Sequence, residues 1–215
     1  MNAPALFKEV ELKRLAVLVF PGVQTLDLFG PIELLGGFDD KIALTLVAER
    51  NAPVPTRHGQ RILPDRTIHD PAAYDLLMIP GGDSAIEVAK SDDAMEWVQR
   101  TVDAAELVMT VCTGSILLAM TGKLDGHKAT TNKQDFLGTV HLGPHVQWIK
   151  KARWVQDGKF FTSSGVSAGM DMALAVAAQL FGQEAADWMA EGAEYEWHQE
   201  PDWDPFAQRC GLVRA

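Results

Sequence analysis

Residues 107–120, Leu-Val-Met-Thr-Val-Cys-Thr-Gly-Ser-Ile-Leu-Leu-Ala-Met, carry an apolar strand pattern straight into a helical one, with Cys112 at the junction. A side chain at such a sharp strand-to-helix turn projects out of its sheet, as in nucleophile elbows. The free N–H groups and dipole of the following helix favour thiolate over thiol there, which predicts a reactive sulfur. Gly114 supplies the small residue that a crowded turn needs. A cysteine elsewhere would be read as a small buried hydrophobe; the junction favours the reactive reading.

The rest of the chain repeats the same alternation. Residues 15–20 are a continuous apolar run of the kind found in parallel strands covered on both faces, and Pro21-Gly22 ends it. Residues 25–35 read as a loop entering a short helix, with Pro31 in the first turn and Gly36-Gly37 closing it. Strands follow at 43–48 and 76–79, separated by a Pro-, Arg- and Asp-rich stretch at 51–70 that suggests small antiparallel strands. Pro80-Gly81-Gly82 breaks the 76–79 strand, and residues 91–103 form a helix with Ser91 as N-cap. After the cysteine come a turn at Leu124-Asp125-Gly126, a polar segment at 130–135 and a hairpin pairing 152–155 with 160–162. Residues 167–181 form a helix apolar around most of its circumference, residues 183–195 a last helix, and residues 196–215 an acidic, aromatic tail. Strands alternating with helices predict an α/β, doubly wound, mostly parallel sheet with helices on both faces, a flavodoxin-like sandwich. One domain over 1–215 is expected, with residues 1–12 a loose leader.

Bulk properties narrow the function. Acidic side chains outnumber basic ones 29 to 19, and a net charge of −10 repels a phosphate backbone, so nucleic acid is not an expected partner. Cys112 and Cys210 cannot build a disulfide framework and have no zinc-finger spacing, which fits a reducing cytoplasm. The N-terminus is charged where a signal peptide is apolar, and no apolar run reaches membrane-spanning length. There is no Walker loop, no Gly-x-Gly-x-x-Gly and no His-Glu-x-x-His. His141 and His145 are separated by Gly143-Pro144, which argues against a zinc pair on one helical face, and the remaining histidines fall in polar loops or the tail.

A thiolate attacking a polarised carbon needs donors facing the charge that develops. The backbone N–H groups of Thr113, just past the elbow, and Gly82, in the turn after a neighbouring strand, are placed for this. A carboxylate must manage the proton, and Asp27 and Glu33 follow the first strand, where open α/β sheets put their sites. Asp27 is either a buried, partnered acid or the N-cap of the next helix; Glu33 reads as a surface or dimer-contact residue. The tail has three open placements: over a partner subunit, over a site mouth, or on its own surface. Phe29, Trp148, Tyr195, Trp197 and Trp203 are candidate pocket walls.

Four motifs together, Leu26-Asp27-Leu28-Phe29-Gly30-Pro31, Ile79-Pro80-Gly81-Gly82, Val111-Cys112-Thr113-Gly114-Ser115 and Gly165-Val-Ser-Ala-Gly-Met-Asp-Met-Ala-Leu174, resemble the ThiJ/PfpI superfamily, whose fold is like that of class I glutamine amidotransferases. Leu-Asp-Leu followed by Gly-Pro, with Cys-Thr-Gly-Ser, looks most like the isonitrile hydratase branch. That resemblance implies Cys112 as nucleophile, Asp27 as its carboxylate partner, the amides of Thr113 and Gly82 around the reacting atom, a homodimer, a small-molecule substrate and no metal or organic cofactor. Where many relatives read Ala-Thr-Thr-His-Trp, this chain has Ala129-Thr-Thr-Asn132-Lys133, which removes a hydrolytic Cys-His pair. The reaction implied is hydration of an isonitrile to an N-substituted formamide through a thioimidate. Glyoxalase-like or small-amide hydrolase chemistry, and a cysteine redox sensor, are the rivals.

Overall fold

A computed structural model describes residues 11–214; most of the expected leader, residues 1–10, lies outside the described residues. In chain order the elements are β1 (Lys13–Leu18), α1 (Thr25–Gly36), β2 (Ile42–Ala48), β3 (Val54–Pro55), β4 (Arg61–Ile62), β5 (Arg66–Thr67), β6 (Leu76–Ile79), α2 (Ala85–Val88), α3 (Asp92–Ala104), β7 (Leu107–Val111) and α4 (Gly114–Met120). There follow β8 (Lys128–Ala129), α5 (Phe136–Val140), β9 (Gln147–Trp148), β10 (Trp154–Asp157), β11 (Phe160–Ser163), α6 (Ala168–Phe181), α7 (Gln183–Gly192) and α8 (Pro205–Arg209).

Seven strands form one sheet in the order β10-β11-β7-β6-β1-β2-β5. Every neighbouring pair is parallel except the β10–β11 hairpin at one edge. The strand order reverses between β1 and β6: the chain moves outward one way through α1 to β2, and the other way through α3 from β6 to β7. Right-handed crossovers therefore put α1 and α3 on opposite faces. α6 packs on α1 and α4 on α3, so both faces are covered, and every residue of β6 and β7 is buried. Apolar strands with no exposed face are what such a double covering requires.

The helix from Ser91 is capped as expected: the Ser91 hydroxyl accepts from the Ala94 N–H. Of the strands expected within 51–70, β3 and β4 pair antiparallel, but β5 joins the main sheet parallel to β2. α1 differs more. It begins at Thr25, so Pro31 lies in its interior rather than its first turn. The start is fixed by tertiary contacts, with the Gln24 N–H donating to Gly81 O at 2.8 Å and Val23 bridging Gly82. Proline removes the N–H that would bond the Asp27 carbonyl one turn back, and the helix still continues because its buried face is anchored.

Candidate active site

The site lies where the sheet changes direction, at the carboxyl ends of β1, β6 and β7, the position open α/β sheets use. Cys112 follows β7 with a φ of 56°, a left-handed conformation for a residue that bears a side chain. Its N–H reaches Ser163 O and Ser164 O, and its carbonyl accepts from the Ser115 and Thr131 hydroxyls, each at 3.0 Å. These bonds hold a conformation that costs on the order of 1–3 kcal/mol, a strain that clusters at functional sites. Gly114 permits the tight turn: a Cβ there would collide with the carbonyl oxygens of Ile79 and Pro80.

Asp27 reaches the same point from the first turn of α1. It is fully buried, and Oδ2 accepts from the Gly81 N–H at 3.1 Å while Oδ1 has no hydrogen-bond partner of normal geometry among the described residues. The Cys112 thiol lies against this carboxyl as a proton donor. Of the two readings of Asp27, the buried acid holds and the N-cap does not, because Gln24 occupies the cap position. Gly81 allows this approach, since a Cβ would sit 2.8 Å from Asp27 Oδ2.

The expected thiolate is not the resting form. Burial pushes the Cys112 thiol up to about 12, with the Asp27 charge adding to it; donors from Asn132 and Thr113 oppose the rise and do not overcome it. Burial likewise pushes Asp27 up to about 7, against the Gly81 and Cys112 hydrogen bonds that favour its anion. Sulfur and carboxyl share a dry environment that disfavours charge on both, so the thiol keeps its proton while the carboxyl changes form near neutral pH. Desolvation outweighs the helix terminus here, and α4 has only seven residues with which to oppose it.

Thr113 and Gly82 are both beside the sulfur, in different circumstances. The Thr113 N–H acts on Cys112 directly, whereas the Gly82 N–H donates to Thr113 Oγ1 at 3.0 Å. Asn132 Nδ2 donates to Cys112 Sγ at 3.1 Å. Cys112 is 7% exposed and lines a cavity of about 370 Å³ whose wall also includes Gln24, Arg57, Ile116, Asn132, Gln134 and Val166. Val166, with a φ of 50°, is a second strained residue at this wall. None of Phe29, Trp148, Tyr195, Trp197 and Trp203 lines it. Glu33 is exposed and away from it.

The tail, residues 196–215, and the 130–135 segment behave differently from their polar composition. Thr130, Thr131 and Lys133 are buried, and Lys133 Nζ bonds Thr130 Oγ1 and Thr131 O and pairs with Asp204 at 3.3 Å. Asp204 in turn caps α8 through the N–H groups of Phe206 and Ala207. Buried Arg153 pairs with Asp171 at 2.6 Å, and Asp171 also accepts from the Tyr195 hydroxyl and the His198 N–H. The tail thus docks on its own subunit. Among the described residues no group of three His, Cys, Asp or Glu is placed to hold a metal ion, and no helix is long and apolar enough to cross a membrane.

A profile of the DJ-1/PfpI family matches residues 13–179. An isonitrile hydratase from Pseudomonas putida is 33% identical over 184 residues, covering 85% of this chain and 78% of that protein. A Parkinson disease protein 7 homolog from Danio rerio is 24% identical over 178 residues, 81% of this chain and 93% of that protein. Among solved structures, a ThiJ/PfpI family protein from Pseudomonas syringae superposes with a TM-score of 0.80 at 29% identity, covering 88% of this chain and 77% of that one. With this fold, and with a lone cysteine on its elbow beside a buried acid, the chain belongs to the DJ-1/PfpI family.

Proposed function

We propose that the protein is a cofactor-independent cysteine hydratase that adds water to an isonitrile, R–N≡C, giving an N-substituted formamide. The observation that carries this reading is the fully buried Asp27 carboxyl against the Cys112 thiol, in a cavity where the other side chain on the sulfur, Asn132, is a donor and not a base. Ionised Asp27 takes the thiol proton as Sγ bonds to the terminal isonitrile carbon, then gives that proton to the same carbon, leaving the thioimidate R–N=CH–S–Cys112. Water adds to this carbon, a proton goes to nitrogen, and collapse of the adduct returns the cysteine thiol and R–NH–CHO. Isonitrile carbon accepts both a nucleophile and a proton, so a thiol–carboxyl pair supplies what the first step consumes. The Thr113 and Asn132 N–H groups stabilise sulfur while it carries charge; the Gly82 N–H serves only if Thr113 Oγ1 releases it.

Similarity to the Pseudomonas putida isonitrile hydratase supports the substrate class. No histidine lines the cavity, which counts against amide hydrolysis by a Cys-His relay. The cytoplasm, where thiols stay reduced, suits this chemistry. A homodimer is part of the proposal: Leu26 and Phe29 stand 40% and 41% exposed on α1 and share its outer face with Glu33.

The test is formamide formation from para-nitrophenyl isocyanide by wild type, Cys112→Ala and Asp27→Asn. Turnover by the wild type that falls at least a thousandfold in both variants is the expected result. No wild-type turnover across several isonitriles, or full activity in Cys112→Ala, overturns it.

A further inference from the structure

Across Asn132 the sulfur cavity borders a second one. Asn132, Gln134 and Val166 also wall this second, half-open cavity of about 430 Å³, bordered by the exposed side chains of Phe206 and Arg209 of the docked tail. The side chain that touches sulfur is therefore the partition between the two spaces. A substrate bound by Cys112 has this second cavity as room for the rest of its structure.

Charge distinguishes the two. In the first cavity Arg57 is neutralised by Asp83 at 3.0 Å and also bonds Gln24. In the second, Lys133 is neutralised by Asp204. Arg209 has no carboxylate partner among the described residues; its guanidinium lies over the Phe206 ring, 5.2 Å from the centroid. Beside it the Ser164 side chain is 3% exposed and its hydroxyl makes no hydrogen bond within the described residues. A guanidinium without a carboxylate partner and a buried serine hydroxyl that line one cavity make a receptor for a carboxylate.

We propose that the second cavity is the specificity subsite and that Arg209 binds a carboxylate of the substrate there, so that the preferred isonitriles are acids. The reaction assigned to them rests on the hydratase reading; the subsite itself does not. Of the tail residues, Arg209 and Phe206 are then specificity determinants, and docking of the tail by Lys133–Asp204 completes the substrate site.

The experiment compares 4-isocyanobenzoate with its methyl ester, and the product 4-formamidobenzoate with its methyl ester, in wild type, Arg209→Gln, Arg209→Lys and the distant charge control Arg100→Gln. In wild type kcat/KM favours the acid by about tenfold or more, the size of one charge-assisted pair. Arg209→Gln removes that preference through KM, Arg209→Lys restores part of it, and Arg100→Gln keeps it. Calorimetric binding of the two formamides gives the same ratio without turnover. Absent turnover together with an Arg209-dependent preference in binding keeps the subsite and overturns the hydratase. Turnover without an acid preference, or a preference that survives Arg209→Gln, overturns the subsite and keeps the hydratase. No turnover and no binding preference overturns both.

Discussion

Asn132 Nδ2 donates to the Cys112 sulfur at 3.1 Å while Asn132 Oδ1 accepts from the N–H groups of Gln134 and Asp135 at 2.8 and 3.1 Å. Those two backbone donors fix which end of the amide faces the sulfur. The group beside the sulfur is therefore a donor that cannot take its proton, and in the proposed mechanism the basic role is left to Asp27.

Removing that donor has a defined effect. A hydrogen bond to a charged group contributes about 1.5–3 kcal/mol, so Asn132→Ala should slow alkylation of Cys112 by iodoacetamide at pH 7.5 by roughly tenfold or more. Asn132→Asp should slow it further, because it places a second negative charge at the sulfur. An alkylation rate unchanged in both variants would show that the amide does not act on the sulfur.

On the proposed hydratase reading, Asp27 should set the pH dependence of activity. Its carboxyl is pushed up to about 7, and only the ionised form can accept the thiol proton. Hydratase kcat/KM should therefore climb as pH rises from 5 and level off above about 7, with the climb absent from the residual rate of Asp27→Asn. A flat profile in the wild type would contradict this.

The same carboxyl sets a stability slope. Its value is raised from 3.8 in the unfolded chain to about 7, so between those pH values the folded state holds a proton that the unfolded state has lost. Stability from this group is full below about 4 and is lost as pH rises through about 7, an effect on the order of a few kcal/mol. Urea unfolding of Asp27→Asn, which keeps an acceptor for the Gly81 N–H, should show higher stability than wild type at pH 8 and a smaller difference at pH 4.5.

Much of this arrangement is local and could be read from sequence. β6 is an unbroken apolar run, β1 is one from Leu15 onward and β7 is interrupted only by Thr110, so their burial on both faces and parallel pairing follow from composition. The elbow is likewise local, being a strand, a cysteine and a glycine in succession. What escaped was non-local. The family motifs pair Asp27 with Cys112 but do not give the rise that its charge adds to the thiol, and Lys133 is buried because Asp204 arrives from the far end of the chain. No periodicity encodes either meeting. The start of α1 was missed for the same reason, since Gly81 and Gly82 fix it where a capping side chain would have announced it.

Strain at the nucleophile is also measurable. Alanine at residue 112 keeps a Cβ at a φ of 56°, whereas glycine adopts that conformation freely. Cys112→Gly should be more stable than Cys112→Ala by about 1 kcal/mol despite its greater unfolded-state entropy, provided the left-handed conformation is retained. Chemical denaturation of the two inactive variants reads this directly, and Cys112→Ala proving the more stable would mean the elbow relaxes.

Docking of the tail depends on Arg153, which is 4% exposed and makes its ion pair with an Asp171 that also takes the Tyr195 hydroxyl and the His198 N–H. Arg153→Met removes the cation and leaves Asp171 buried with neutral donors, a change that costs about 3–5 kcal/mol when a buried pair is broken from one side. Asp171 faces the tail, so the loss should appear first there, as cleavage by trypsin at Arg209 under conditions in which the wild-type chain resists. Replacing both partners, as Arg153→Met with Asp171→Leu, eliminates the stranded charge and should recover part of the global stability, while Tyr195 and His198 still lack their acceptor and the tail stays cleavable. Recovery of both properties in the double variant would mean that the tail is held by its aromatic contacts alone.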